Sequence, residues 1–83
     1  MNINFIETLT TILELCKGER AQIRKIMGSG AIRQRLLDMG LLPKQELRVE
    51  RVAPSGDPIW IELNGTHLAL RRKEAAAVIV SHS

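Results

Sequence analysis

The chain has 83 residues, 12 Lys+Arg against 9 Asp+Glu, a formal net charge of +3 and 45% hydrophobic residues, which excludes a disordered polymer and sets one small domain with a narrow stability margin. Its aromatics are Phe5 and Trp60 and its one cysteine is Cys16, so the core is aliphatic, no intramolecular disulfide is expected, and a reducing compartment fits. No stretch reaches the roughly 20 apolar residues that span a bilayer, and the N-terminus lacks the basic start and apolar run of a signal peptide, so a cytoplasmic protein without membrane insertion is expected.

Residues 5–16, FIETLTTILELC, place Phe5, Leu9, Ile12 and Cys16 at helical spacing with Leu13 beside them. The spacing predicts a short helix, weakened by the β-branched residues between Ile6 and Ile12, with Cys16 continuing its apolar stripe as a structural cysteine. The chain then turns at Lys17-Gly18. Alternation through Ala21 and Ile23 toward Lys25 predicts a first strand.

The segment GSGAIRQRLLDMGLLP carries turn residues at its joints. Ser29 caps a helix beginning near Ala31, and Ile32, Leu36 and Met39 form its apolar face. Gly40 suits the left-handed position after the helix, with Leu41 folded over Leu36, and Pro43 prevents the helix from resuming. In ELRVERVA, residues 46–53, alternation begins at Leu47 and Val49 and shifts phase to Val52, which predicts a bulge and a bend. The loop APSGDP follows, with Pro58 holding Asp57 extended.

IWIEL-NG-THLAL contains Asn64-Gly65, the strongest short hairpin signal. A two-residue turn pairs Leu63 with Thr66, Ile61 with Leu68 and Ile59 with Leu70 on one face. Trp60 then opposes Ala69, and Glu62 opposes His67, on the other. RRKEAAA predicts a helical turn, AVIV a last strand buried on both faces, and residues 81–83 a tail. The sum is a mainly β domain with short helices, its roughly five strands closing into a small barrel.

Little of this sequence reads as chemistry. Cys16, His67 and His82 lie at no metal-ligand spacing, so no metal or cofactor is expected, and Glu62 opposite His67 reads as a cross-strand hydrogen bond. Cys16 beside Lys17 has no partner base in the pattern, and Glu46 and Glu50 flank Arg48 on an ordinary charged face. Gly28-Ser29-Gly30 lacks the lysine and serine of a phosphate loop and reads as a capping loop. Arg24, Lys25, Arg33, Arg35 and Arg71-Arg72-Lys73 supply positive charge, but only Trp60 could stack a base. They read as a solvated surface or an interface for an acidic partner rather than a nucleic-acid site, and any nucleic-acid binding should be weak and steeply salt-dependent.

GSGAIRQRLLDMGLLP followed by VERVAPSGDPIWIEL and LALRRKEAAAVIV resembles the FeoA family over about Leu13 to Val80. The resemblance implies an SH3-like β-barrel with added helices over residues 1–83, residues 1–9 being a variable extension. It also implies a binding module that acts with FeoB, a membrane transporter carrying a cytoplasmic GTP-binding domain. Two positions depart from the family, which often has Pro-Gly where this chain has Lys17-Gly18 and Pro43-Lys44; the missing glycine at 44 argues for a type I turn. The function expected is therefore a non-catalytic cytoplasmic adaptor that binds and modulates the ferrous iron transporter. The alternative is a nucleic-acid-binding or iron-dependent regulatory barrel, since similar modules form the C-terminal domains of iron-dependent repressors. Leu37, Leu42 and Pro43, flanked by Arg33 and Arg51, are the candidate partner surface; the competing reading buries Leu37 and Leu42 beneath the N-terminal helix. Ser29, Gly40, Pro58, Asn64 and Gly65 are structural. The direction of modulation and self-association are left open by the residues.

Overall fold

Apolar residues on alternate positions of short strands need a second surface to bury against, and here one sheet supplies most of it. The structure, a computed structural model, describes residues 8–82. The elements run β1 (Leu9–Thr11), a 3-10 turn (Ile12–Glu14), β2 (Arg20–Ile26), α1 (Gly30–Asp38), β3 (Glu46–Val52), β4 (Ile59–Leu63), β5 (Thr66–Leu70), α2 (Arg72–Ala75) and β6 (Val78–His82). The strands form one antiparallel sheet in the order β1-β6-β2-β3-β4-β5. The expected five-stranded barrel thus becomes six strands, with β1 and β5 as edges.

Each inward position follows from the pleat. Leu47 and Val49 of β3, Ile59, Ile61 and Leu63 of β4, and Val78 and Val80 of β6 are buried with Leu36 and Leu41. The β4–β5 hairpin has the register read from Asn64-Gly65, Ile59↔Leu70 through Leu63↔Thr66. Both turn residues have positive φ, 51° and 80°, as a type I′ turn requires. The phase shift in β3 is a bulge, the register with β4 slipping between Val49 and Arg51, although Val52 beyond it is exposed rather than core. A second slip, between Ile23 and Lys25 against β6, turns Lys25 outward and lets Ile26 point in.

The N-terminal helix is the main correction. Within the described part of residues 5–16 the chain forms β1 and the 3-10 turn; Phe5 lies outside the described residues. Leu9, Thr10 and Thr11 pair with Ser81, Val80 and Ile79 of β6, and Thr11 Oγ1 accepts from Leu13 N at 3.2 Å. Ile12 is still fully buried, but Cys16 is exposed and not part of an apolar stripe. The expected tail is also strand: Ser81 is buried, pairing with Leu9 and Gln22, and His82 pairs with Ala21. In the same strand Ile79 is half-buried, so burial of AVIV on both faces is incomplete.

α1 has the predicted ends with one change. Ser29 occupies the N-cap position in extended conformation, but its side chain makes no capping bond; its carbonyl accepts from Arg33 N at 2.9 Å. At the other end Gly40 has φ +96°, Leu41 N donates to Leu36 O at 3.1 Å and Gly40 N to Leu37 O at 3.0 Å. That is the paired 6→1 and 5→2 bonding of a Schellman motif, with Leu41 and Leu36 both fully buried.

The next turn corrects the type I expectation. Lys44 has φ +77° and Gln45 N points back to Leu42 O at 3.4 Å, so Leu42-Pro43-Lys44-Gln45 has the type II shape with lysine in the glycine position. Bonds to β2 impose it: Lys44 N donates to Ile23 O at 2.7 Å, Ile23 N to Gln45 O at 2.8 Å, and Gln22 Nε2 to Lys44 O at 3.1 Å. Lys44→Gly should therefore stabilise the domain. Relief of a left-handed L-residue, about 1–2 kcal/mol, outweighs the about 0.4–1 kcal/mol of extra freedom glycine gives the unfolded chain. A thermal melt should rise by a few degrees; a fall would show that Lys44 is not strained.

Between β3 and β4 the loop is closed by Ala53 N donating to Pro58 O at 3.1 Å and Gly56 N to Ala53 O at 2.7 Å. The Asp57–Pro58 peptide is cis.

Candidate interaction surface

Among the described residues no group of three or more His, Cys, Asp and Glu side chains is arranged to hold a metal. Cys16 and His82 instead meet at Glu19, which the sequence did not single out. Its Oε1 accepts from Cys16 N at 2.6 Å, and His82 Nδ1 lies 3.4 Å from Oε2. The Cys16 backbone N–H, aided by the Cys16 side chain and the charge of His82, holds the Glu19 carboxyl below its ordinary value against the cost of burial.

His67 does not bond Glu62 across the hairpin. The bulge in β3 re-aims Glu50, and His67 Nδ1 lies 2.8 Å from both of its oxygens, while Glu62 accepts from Arg48 Nη2 at 3.0 Å. The Glu50 hydrogen bond and charge raise the His67 pKa above its ordinary value. The raised folded value means that any stabilisation from this pair is full below the ordinary imidazole range and is lost as pH rises through the raised one. An NMR titration should find His67 titrating above a free imidazole and dropping toward it in Glu50→Gln; an unmoved midpoint would remove Glu50 as the cause.

The candidate partner residues separate into two groups. Leu42, 49% exposed, and Pro43 stand out from the turn after α1, and Arg33 is exposed on the helix. Leu37 is half-buried and packs against the core. Arg51 is exposed but lies over the Trp60 ring, 3.8 Å from its centroid. So Leu37 belongs to the flank of the core, and the apolar projection is Leu42-Pro43, which no helix covers within the described residues.

The basic positions separate likewise. Arg35 bonds Glu74, a buried carboxylate that also accepts from Arg71 N at 2.7 Å. Sequence reasoning passed over Glu74, although a glutamate three residues into a helix is a recurring partner of the first free N–H. Arg71, Arg72 and Lys73 are exposed and line, with Leu13, Asp57 and Ala76, a cavity of about 580 Å³.

The FeoA domain model matches residues 10–82. A curated relative, the Fe(2+) transport protein A/Fe(2+) transporter FeoB fusion protein of Porphyromonas gingivalis, is 34% identical over 67 residues, which are 81% of this chain and 8% of the fusion protein. The chain thus spans only a small part of that relative. The solution structure of the FeoA protein of Chlorobium tepidum is 40% identical with a TM-score of 0.80, covering 88% of this chain and 70% of that one. Stenotrophomonas maltophilia FeoA, described as a procaryotic SH3 domain protein and solved with zinc, is 29% identical with a TM-score of 0.76, covering 86% and 88%. The fold is accordingly mainly β and SH3-like. A manganese-dependent transcriptional repressor superposes with a TM-score of 0.86 over 94% of this chain and 44% of its own, at 14% identity, a likeness of fold alone. Among the described residues no helix is long and apolar enough to cross a membrane.

Proposed function

The chain belongs to the FeoA family, and on that premise we propose that it is a cytoplasmic accessory protein that binds a FeoB-type ferrous iron transporter and modulates it through protein–protein contacts, without catalysis of its own. The observation that carries the reading is the fusion relative, in which the matching domain shares one polypeptide with the transporter. Covalent linkage raises the effective concentration of two modules to about the millimolar range, an advantage only where they work in contact. The resemblance to a repressor module carries no function by itself, because one fold hosts many sites.

The contact is assigned to Leu42 and Pro43. Leu42 is a large aliphatic side chain held in the open by a turn whose backbone is fixed on β2, so docking it costs little ordering. Affinity capture against the full transporter and against its soluble GTP-binding domain tests the partnership. In the same assay Leu42→Ser should weaken capture about tenfold or more, as loss of a small interface anchor does, while the melting temperature hardly moves, as for other surface changes. Unchanged capture, or a loss of about 2 kcal/mol or more of stability, removes Leu42 from the interface.

A further inference from the structure

Most arginines on this surface already have a local partner. Arg35 is tied to Glu74, Arg48 to Glu62, Arg51 to the indole of Trp60, and Arg20 sits 4.0 Å from Glu46. Arg71, Arg72 and Lys73 are different. They are successive and exposed, and no ion pair joins any of the three side chains to another described residue. The adjacent carboxylates are engaged elsewhere, Asp57 Oδ1 accepting from Arg72 N at 3.2 Å and Glu74 from Arg35 and Arg71 N. The Arg71 and Arg72 backbone donors are thereby used, and recognition is left chiefly to the three cationic side chains. Their placement is built in part by Gly56, where a Cβ would stand 3.1 Å from Arg72 Nη1.

The triplet is also concave. With Leu13 and Ala76 it lines the cavity of about 580 Å³, inside the range of about 300–1,000 Å³ typical of ligand sites. Three cations face one carboxylate, and the remaining lining is aliphatic. We infer that this cleft is a docking site for an extended acidic peptide segment of a partner protein, with its carboxylates on Arg71, Arg72 and Lys73 and an aliphatic side chain on Leu13 and Ala76. Nucleic acid fits less well: the Asp57 carboxylate faces the cleft, no aromatic lines it, and the Trp60 ring is covered by Arg51, whereas single strands are held by stacking on bare rings. A lone small anion would use one corner of a cavity this size.

The inference does not depend on the transporter being the partner, so each can fail alone. A fluorescein-labelled octapeptide of alternating glutamate and leucine, followed by anisotropy at low salt, should bind the intact domain with a Kd of about 10–100 µM. Arg71→Glu with Lys73→Glu should weaken it about tenfold or more, and the milder Arg71→Gln with Lys73→Gln should weaken it less but in the same direction. Lys17→Glu with Lys25→Glu makes the same net charge change on exposed residues elsewhere and should leave most of the affinity. An octapeptide of glutamate and glycine should bind more weakly than the leucine-bearing one. Equal losses in the two charge-reversed proteins would overturn the site in favour of diffuse attraction. Absence of peptide binding would overturn it as well, and so would an RNA octamer that binds more tightly than the peptide and is released by the Arg71 and Lys73 changes.

Discussion

Leu36→Ala is expected to lower the stability of the domain by about 3 kcal/mol, within the range of about 2–5 kcal/mol for deleting a buried leucine. Leu36 is fully buried, and α1, nine residues long, is too short to persist without tertiary packing. The same residue supplies the carbonyl that receives Leu41 N, so relaxation around the vacated side chain would also loosen the Schellman closure. At about 4–8 °C per kcal/mol for a domain this small, the melting temperature should fall by roughly 12–24 °C. Urea denaturation gives the same quantity independently. A loss below about 1 kcal/mol would mean that the site collapses around the alanine and that α1 is not anchored through Leu36.

Glu74→Ala carries the second large effect, about 2 kcal/mol. Glu74 is 4% exposed and accepts from both Arg35 Nε and Arg71 N. Losing it strips the part-buried backbone N–H at the start of α2 of its acceptor, toward the lower part of the about 1–3 kcal/mol that an unpaired buried donor costs, and removes the packing of the buried Glu74 side chain. Arg35 adds little to that sum because its side chain is 61% exposed and returns to water. Glu74→Gln keeps an acceptor in the same place and should lose only about half as much. Equal losses in the two variants would assign the effect to the charge rather than to the backbone contact.

How far these features could be read from the chain depends on how local their causes are. The Asn64-Gly65 register, the Gly40 closure and the β3 bulge were legible because turn chemistry and side-chain period settle them over a few residues. β1 was not: Phe5, Leu9, Ile12 and Cys16 satisfy a helical period as well as they satisfy nothing else, and the strand exists because β6, from the other end of the sequence, pairs with it. Ser81 and His82 looked like a tail for the same reason, since polar residues in a central strand are visible only once both neighbours are known. Lys44 shows a local preference overruled, its backbone held left-handed by bonds to Ile23 and Gln22. Of the candidate partner residues, Leu42 stands in the open while Leu37 is half-buried, because α1 packs Leu37 as well as its Ile32–Leu36–Met39 stripe against the core.

The position of β6 between β1 and β2 also sets an order of events during synthesis. Once β5 has left the ribosome, β3, β4 and β5 have every partner strand they need, and the β3–β4 and β4–β5 connections are short in sequence. β1 has none, for its only neighbour is β6, and β2 is paired on one side alone. β2 waits through α1, β3, β4, β5 and α2 for β6, and β1 waits through the 3-10 turn and β2 as well; such long-range pairings form late because the intervening chain must first be closed. Until then the apolar face of β2, carrying Ala21, Ile23 and Ile26, is open to trapping by other unfolded segments. The emergence of residues 78–82 from the ribosome is therefore the step at which the polypeptide passes from an open sheet to a finished domain.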